Sequence, residues 1–131
     1  MKMKWKKYSI IFGGFLLIAL INYGIIQVQG QNNPGAIWTT TGLCGDPQNV
    51  NRYDIGDVVF INGENFNEGT YDWFIEGKPG GASSDPNIKV AEGTYDVNEA
   101  GVFCFAAYTI EEGDSGEYTA DFNGKKDNYR V

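Results

Sequence analysis

Apolar and polar residues alternate in short runs along most of the chain, with the period of a β-strand. In the sequence YDWFIEG, Tyr71, Trp73 and Ile75 fall on one face and the acidic residues between them on the other. Seven strand-like segments follow one another, some alternating in this way and others continuously apolar, and turn-forming residues separate them. The predicted strands are Ala36–Thr41, Val58–Asn62, Tyr71–Gly77, Asn87–Tyr95, Gly101–Ile110, Gly116–Asn123 and Asp127–Val131.

These strands predict an all-β domain. Beyond residue 30 the apolar residues do not recur at helical spacing, and the regular succession of strands and turns is typical of a two-sheet antiparallel β-sandwich. Asn123-Gly124 predicts a tight hairpin, whereas Lys78–Pro86 and Gly45–Ile55 are predicted to be longer irregular segments. Phe66 lies in the turn after the second strand and is expected to fold back beneath it.

The first 30 residues differ in kind from the rest. Four lysines at the start precede an apolar run, Ile10–Ile21, and a looser stretch that ends at Gly30. This order predicts a secretory signal peptide cleaved after Gly30. Because the apolar character can be followed to Val28, a membrane-anchoring helix of residues 10–28 remains open as an alternative. In either case residues 31–131 are predicted to form one domain that is secreted or displayed at the cell surface.

The net charge of the chain beyond residue 30 limits the classes of partner that it can bind. Beyond residue 30 the chain carries all seventeen of its acidic residues but only six of its basic residues, a formal net charge of −11. Such a surface repels a phosphate backbone, so we predict no nucleic-acid partner.

Cys44 and Cys104 are the only cysteines. A chain that is exported meets oxidising conditions, so we predict that the two are joined in a disulfide. A zinc site is a poor alternative, because two cysteines without any histidine cannot complete one.

Three stretches resemble the immunoglobulin-like domains of bacterial and archaeal cell-surface proteins. The first is a strand and turn of the form G-D-x-V-x-I-x-G followed by a Phe, the second a D-x-x-G-x-F strand entry, and the third an Asp-x-Gly-x-Tyr corner. The residues that fill most of these patterns, with one offset in the first and two additional residues between Asp and Gly in the second, are Gly56, Asp57, Val58, Ile61, Gly63, Phe66 and Gly69, then Asp96, Gly101 and Phe103, then Asp114, Gly116 and Tyr118.

The resemblance implies a seven-stranded immunoglobulin-like sandwich in an extracellular setting, and it implies no particular activity. The chain departs from the family at two points. Glu68 stands where Pro is usual in the turn, and Ala120 stands where antibody domains carry their second Cys. The disulfide typical of antibodies is therefore absent, and the pair here is expected to fasten the first strand to the body of the domain.

Catalysis is not predicted. The chain has no His, so nucleophiles that depend on a His base are not available. The glycine-rich stretch GKPGG lacks the strand and helix that a phosphate-binding loop requires. The many carboxylates could supply a glycosidase pair, but a domain of about a hundred residues leaves little space for a deep cleft. We predict that the protein is not an enzyme.

Oxygen-bearing side chains are concentrated in the first irregular segment. Calcium requires six to eight oxygen ligands, but the spacing here does not follow the EF-hand pattern. Asn and Asp are also favoured in turns for reasons of backbone geometry. No cofactor is predicted, and one structural Ca²⁺ remains open at these residues: Asp46, Asn49, Asn51, Asp54 and Asp57.

Aromatic residues offer the other candidate chemistry. Those on the apolar faces of strands are expected to pack in the core. Rings whose burial is less clear from the pattern could stack on a sugar or anchor a protein partner. The candidate ligand-binding residues are Trp38, Tyr53, Tyr71 and Tyr95.

The predicted function is that of a non-catalytic structural or adhesive module at the cell surface, whose partner is a surface protein or a glycan. One alternative is a carbohydrate- or calcium-binding module of the same architecture. A second is a self-associating filament subunit, in which Gln31–Gly35 extends the strand Ala36–Thr41 into a neighbouring copy by strand addition.

Overall fold

The computed structural model describes residues 34–131 apart from Leu43, Gly45 and Pro47. The predictions made for residues 1–30 lie outside this part of the chain. Residues 34–131 form one compact unit with its own core. Every predicted strand is present, with ends that differ by up to two residues. The strands are β1 Ala36–Thr41, β2 Val58–Glu64, β3 Gly69–Gly77, β4 Lys89–Val97, β5 Phe103–Thr109, β6 Glu117–Phe122 and β7 Lys125–Arg130.

The strands form two antiparallel sheets, which confirms the all-β prediction. One sheet has three strands in the order β1-β2-β5, and the other has four in the order β4-β3-β6-β7. Residues of both sheets contribute to one hydrophobic core. Each sheet has two edge strands, β1 and β5 in the first and β4 and β7 in the second.

The core lies between the sheets and is rich in aromatic rings. The apolar face of β6 is fully buried, and the predicted inward face of β3 packs against the same cluster. Phe66 is 5% exposed, and its ring centroid lies 5.3 Å from that of Phe103 and 5.2 Å from that of Phe122. Phe66 is therefore turned inward into the core, as predicted for a ring that folds back beneath the turn after the second strand.

The second strand is longer than predicted and continues through Gly63 to Glu64. Gly63 stands opposite Phe103 in the sheet. A Cβ at Gly63 would lie 2.1 Å from Cζ of Phe103. The glycine therefore extends the strand by letting the aromatic ring lie flat against the backbone, rather than starting the turn.

The β6–β7 connection is the predicted two-residue hairpin. Asn123 and Gly124 both adopt positive φ, 52° and 90°. Two residues with positive φ are typical of the tight turns whose twist matches that of the flanking strands.

One side of the sandwich is closed by the irregular segment before β2. The backbone N–H of Val50 donates to the carbonyl of Thr39 in β1 at 2.9 Å, and that of Tyr53 donates to the carbonyl of Arg130 in β7 at 2.8 Å. Asp127 of β7 also accepts hydrogen bonds from the backbone N–H (3.0 Å) and hydroxyl (2.9 Å) of Thr39. The edges of β1 and β7 are thus tied together across the two sheets.

Candidate functional site: the outer faces of the two sheets

The predicted disulfide is present between Cys44 and Cys104, whose Cα atoms are 5.4 Å apart. Cys104 lies on β5 directly opposite Asn62 of β2, and Asn62 lies opposite Trp38 of β1. The bond therefore runs over the outer face of the three-stranded sheet and fastens the segment after β1 to β5. A disulfide is compatible with an extracellular location.

The candidate calcium ligands have local partners. Asp46 accepts a hydrogen bond from the backbone of Gln48, Asp57 from the backbone of Asp54, and Asn49 donates to Asp127. In residues 34–131, outside the three omitted positions, no group of three or more Asp, Glu or Cys side chains is placed to hold a metal ion. The contacts of Asp46 and Asp57 are those of capped turns, whereas that of Asn49 joins the segment to β7. The calcium site remains a prediction.

The four candidate ligand-binding rings do not share a surface. Tyr53 is 1% exposed, so its ring offers no face to a ligand. Tyr95 stacks on Phe105 with ring centroids 4.5 Å apart, and Tyr71 packs on the core side of β3. Trp38 is partly exposed on the outer face of the three-stranded sheet, where its indole N–H donates to the Asp46 carbonyl at 2.7 Å. For Trp38, ligand binding stays a prediction.

A cluster of tyrosines lies near the side of the core that the irregular segment closes. Tyr129 stacks parallel to Tyr118 with ring centroids 5.5 Å apart, and Tyr53 meets Tyr129 edge-on at 4.9 Å. The Tyr118 hydroxyl donates to Asp85 at 2.5 Å. Burial raises the pKa of Tyr53 to about 12 and that of Tyr118 to about 12. Burial also raises the pKa of Tyr129, and the neighbouring tyrosines add to this effect.

These pKa shifts predict a loss of stability in alkali. An unfolded tyrosine ionises near pH 10, whereas Tyr53 in the fold stays protonated up to about pH 12. The stability that the protonated Tyr53 hydroxyl contributes is fully present below pH 10. It is lost as the pH rises from 10 to 12, at about 1.4 kcal/mol per pH unit. The free energy of unfolding of the wild type and of Tyr53→Phe is measured with urea at several pH values between 10 and 12. We expect it to fall with pH less steeply for the variant, by about 1.4 kcal/mol per pH unit. Equal slopes would contradict the prediction.

The outer face of the four-stranded sheet carries two rows of mostly polar and charged side chains, and we call it the Phe74 face. Strand register places its side chains in two rows across the four strands. The first row is Glu92, Phe74, Asp121 and Lys126, and the second is Lys89, Glu76, Thr119 and Asn128.

Two shallow grooves meet at Phe74. One, of about 360 Å³, runs towards Thr119 and Asn128, and the other, of about 450 Å³, runs towards Glu92 and Thr94. Both volumes are within the range of small-ligand sites. Phe74 is partly buried, and Nζ of Lys89 lies 4.4 Å from its ring centroid. The face thus offers one aromatic ring between two shallow grooves, each lined by both polar and apolar atoms.

Charges of both signs alternate on the Phe74 face. Nζ of Lys126 lies 3.0 Å from Oδ2 of Asp121, and Nζ of Lys89 lies 3.9 Å from Oε1 of Glu92. Asp121 is only 6% exposed, because Lys126 and the hairpin backbone at Gly124 cover it. Of the two pairs, Lys89–Glu92 is exposed on both sides, and an exposed pair contributes little to stability, so its donor and acceptor can be redirected to a partner.

Basic residues are concentrated on this side of an otherwise acidic molecule. A third groove, of about 300 Å³, adjoins the Phe74 face at Asn128. The three grooves are lined by five of the six basic residues that follow residue 30: Arg52, Lys78, Lys89, Lys126 and Arg130.

Sequence reasoning missed Phe74 although the sequence carried a signal for it. In YDWFIEG, Phe74 lies on the same face as Asp72 and Glu76, so it is a large apolar residue on the polar side of an alternating strand. A residue out of phase with the alternation marks a side chain that the core does not use.

No family model, no curated protein and no solved structure matches the chain. In the part of the chain described here, no helix has both the length and the apolar character needed to cross a membrane. The predicted anchoring segment, residues 10–28, lies outside that part.

Proposed function

We propose that the chain is an exported, non-catalytic immunoglobulin-like module that serves as a structural or adhesive protein at the cell surface. The strand order carries this proposal. Read in chain order as A, B, C, C′, E, F and G, the strands give the sheets A-B-E and C′-C-F-G. These sheets agree with the immunoglobulin-type arrangement, in which strands B and E share one sheet and C, F and G the other.

Export is supported by the N-terminal sequence and by the disulfide. A basic head followed by an apolar run is the pattern of a secretory signal, and a disulfide persists in oxidising compartments. Intact mass measurement of the native protein tests both features in one experiment. A chain that begins at Gln31 with no free thiol supports secretion, whereas a retained residue 1–30 segment supports membrane anchoring. Two free thiols would contradict an oxidising location.

The Phe74 face is proposed as the contact face of this module. An aromatic ring with a redirectable charged pair can pack against a protein partner or against the apolar face of a sugar ring. The flanking carboxylate, ammonium and amide groups can hydrogen-bond to hydroxyl groups. A carbohydrate-binding module is therefore the second candidate, and the grooves that meet at Phe74 are the observation that favours it.

Replacing Phe74 with Ala is expected to weaken binding of the labelled body, residues 31–131, to intact cells of the organism that exports it. Loss of a central aromatic contact raises Kd by about 10- to 100-fold in typical interfaces. Cell binding measured by flow cytometry, together with a glycan array, distinguishes a protein partner from a sugar.

The matched control is Ile55→Ala, which removes an exposed apolar side chain (56% exposed) away from the Phe74 face. Unchanged binding by Phe74→Ala, or equal weakening by both variants, would contradict this contact face. Thermal unfolding of each variant checks that the fold is retained.

A further inference from the structure

The four edge strands are protected to very different degrees. An exposed edge presents unpaired backbone groups that can pair with another chain, and proteins usually block it with charge or cover it. Strand β4 carries Lys89, Glu92 and Asp96, and strand β7 carries four charged residues. Strand β1 has no charged residue, but its edge is covered at Thr39 by Val50 and Asp127.

Strand β5 has neither kind of protection. Its sequence FCFAAYT contains no charged residue and no Pro. Within the described residues, the backbone of Phe103–Thr109 makes no hydrogen bond to any segment other than β2. The residues beside its two ends are apolar and exposed: Val102 precedes the strand and is 62% exposed, and the turn containing Ile55 is bonded to Ile110.

We propose that β5 is an association edge that pairs antiparallel with β5 of a second copy of this chain, joining two three-stranded sheets into one of six strands. A bulge at Ala107 interrupts the pairing with β2 and twists the end of the strand, so Val102–Ala106 form the regular part of the edge. Antiparallel self-pairing centred on Cys104 sets Val102 against Ala106 and Phe103 against Phe105. No like charges oppose one another in this register.

Two-fold symmetry favours a second copy as the partner, because the uncharged strand β5 opposes itself without a like-charge contact. The formal net charge of −11 beyond residue 30 opposes this association over the rest of the surface. Two-fold pairing uses the same edge on both copies and leaves none open. Because the β1 edge is covered at Thr39, pairing of β5 with β1 is hindered, and the assembly closes as a dimer. This inference relocates the predicted strand addition from β1 to β5, and it is independent of the partner at the Phe74 face.

Sedimentation velocity of residues 31–131 over a concentration series tests the proposal. We expect a monomer–dimer equilibrium without larger species. Raising NaCl from about 0.05 to 0.5 M screens the repulsion and is expected to lower the dimer Kd by about tenfold. Hydrogen exchange should show protection of β5 amides that increases with protein concentration.

Ala106→Lys places a charge on the exposed residue nearest the centre of the edge and is expected to raise the dimer Kd at least tenfold, by about 1.4 kcal/mol. Ala36→Lys makes the same substitution at an exposed position of β1 and is expected to leave Kd within about twofold. A monomer at every concentration up to about 1 mM in both salts would overturn the proposal. So would equal effects of the two substitutions, or sedimentation as open-ended oligomers.

Discussion

Replacing Cys44 with Ser is expected to lower the free energy of unfolding by about 4 kcal/mol. The disulfide closes a loop of 60 residues, and a loop of this length restricts the unfolded chain strongly in the chain-entropy model. A domain of about a hundred residues has a small margin of stability, so the loss removes a large part of it. Guanidinium unfolding of the oxidised wild type and the variant at 25 °C measures the difference.

The matched control for this prediction is Cys104→Ser, which opens the same loop from the opposite end. Equal losses in the two single variants and in the double variant would show that loop closure, rather than either side chain, supplies the stability. A loss below about 1 kcal/mol would contradict the prediction, since it lies well outside the range given by the loop-closure model.

The disulfide and the irregular segment that follows it stabilise the same region by different means. Cys44 is held over the outer face of the three-stranded sheet, and Val50 is then bonded to the outer edge of β1. The hydrogen-bonded segment covers the β1 edge, whereas the disulfide is attached to β5 over the outer face of the sheet. Among the described residues, the backbone edge of β5 has no hydrogen-bonding partner other than β2. This asymmetry is what makes association at β5 a specific expectation.

The positions of the strands were predictable because strand identity is encoded locally. The alternation in β3 and β6 specifies which residues enter the core, and the Asn123-Gly124 pair specifies a hairpin through its positive φ values. The disulfide could also be predicted, because the chain offers only one possible pair. Each of these features requires no knowledge of which strands are neighbours.

Long-range pairing was not available from the sequence. Two examples are the docking of the loop after β3 on the β5–β6 connection and the covering of β1 by the segment 49–53. Both are backbone contacts between residues distant in sequence. Nearly all residues carry the same backbone groups, so the amino-acid sequence does not indicate which of them pair. Two of the candidate ligand-binding residues were also misjudged, because their burial depends on packing between residues that are distant in sequence. Tyr71 and Tyr95 were considered as ligand-binding rings from their residue type, whereas their faces in the fold place them against the core.

Gly116→Ala is expected to lower the free energy of unfolding by about 2–4 kcal/mol. Gly116 adopts φ +90°, and a Cβ there would lie 2.0 Å from the carbonyl oxygen of Ala82. That oxygen accepts a hydrogen bond from Glu117 N–H at 2.7 Å, so relieving the clash breaks the contact that docks the loop. The left-handed backbone conformation therefore costs the Ala variant about 1 kcal/mol. The loss of backbone hydrogen bonds costs it a further ~1–3 kcal/mol. Urea unfolding measures the total.

Gly113→Ala separates the two contributions. Gly113 lies in the same connection and has a similar φ of +101°, but a Cβ there would meet nothing within 4 Å. It should therefore show the strain alone, a loss of about 1 kcal/mol. A clearly larger loss of stability for Gly116→Ala than for Gly113→Ala would show that Gly116 is required because the Ala82 backbone approaches it closely. Equal losses would mean that the loop moves away without penalty, and the docking of residues 82–84 on this connection would then contribute nothing to stability.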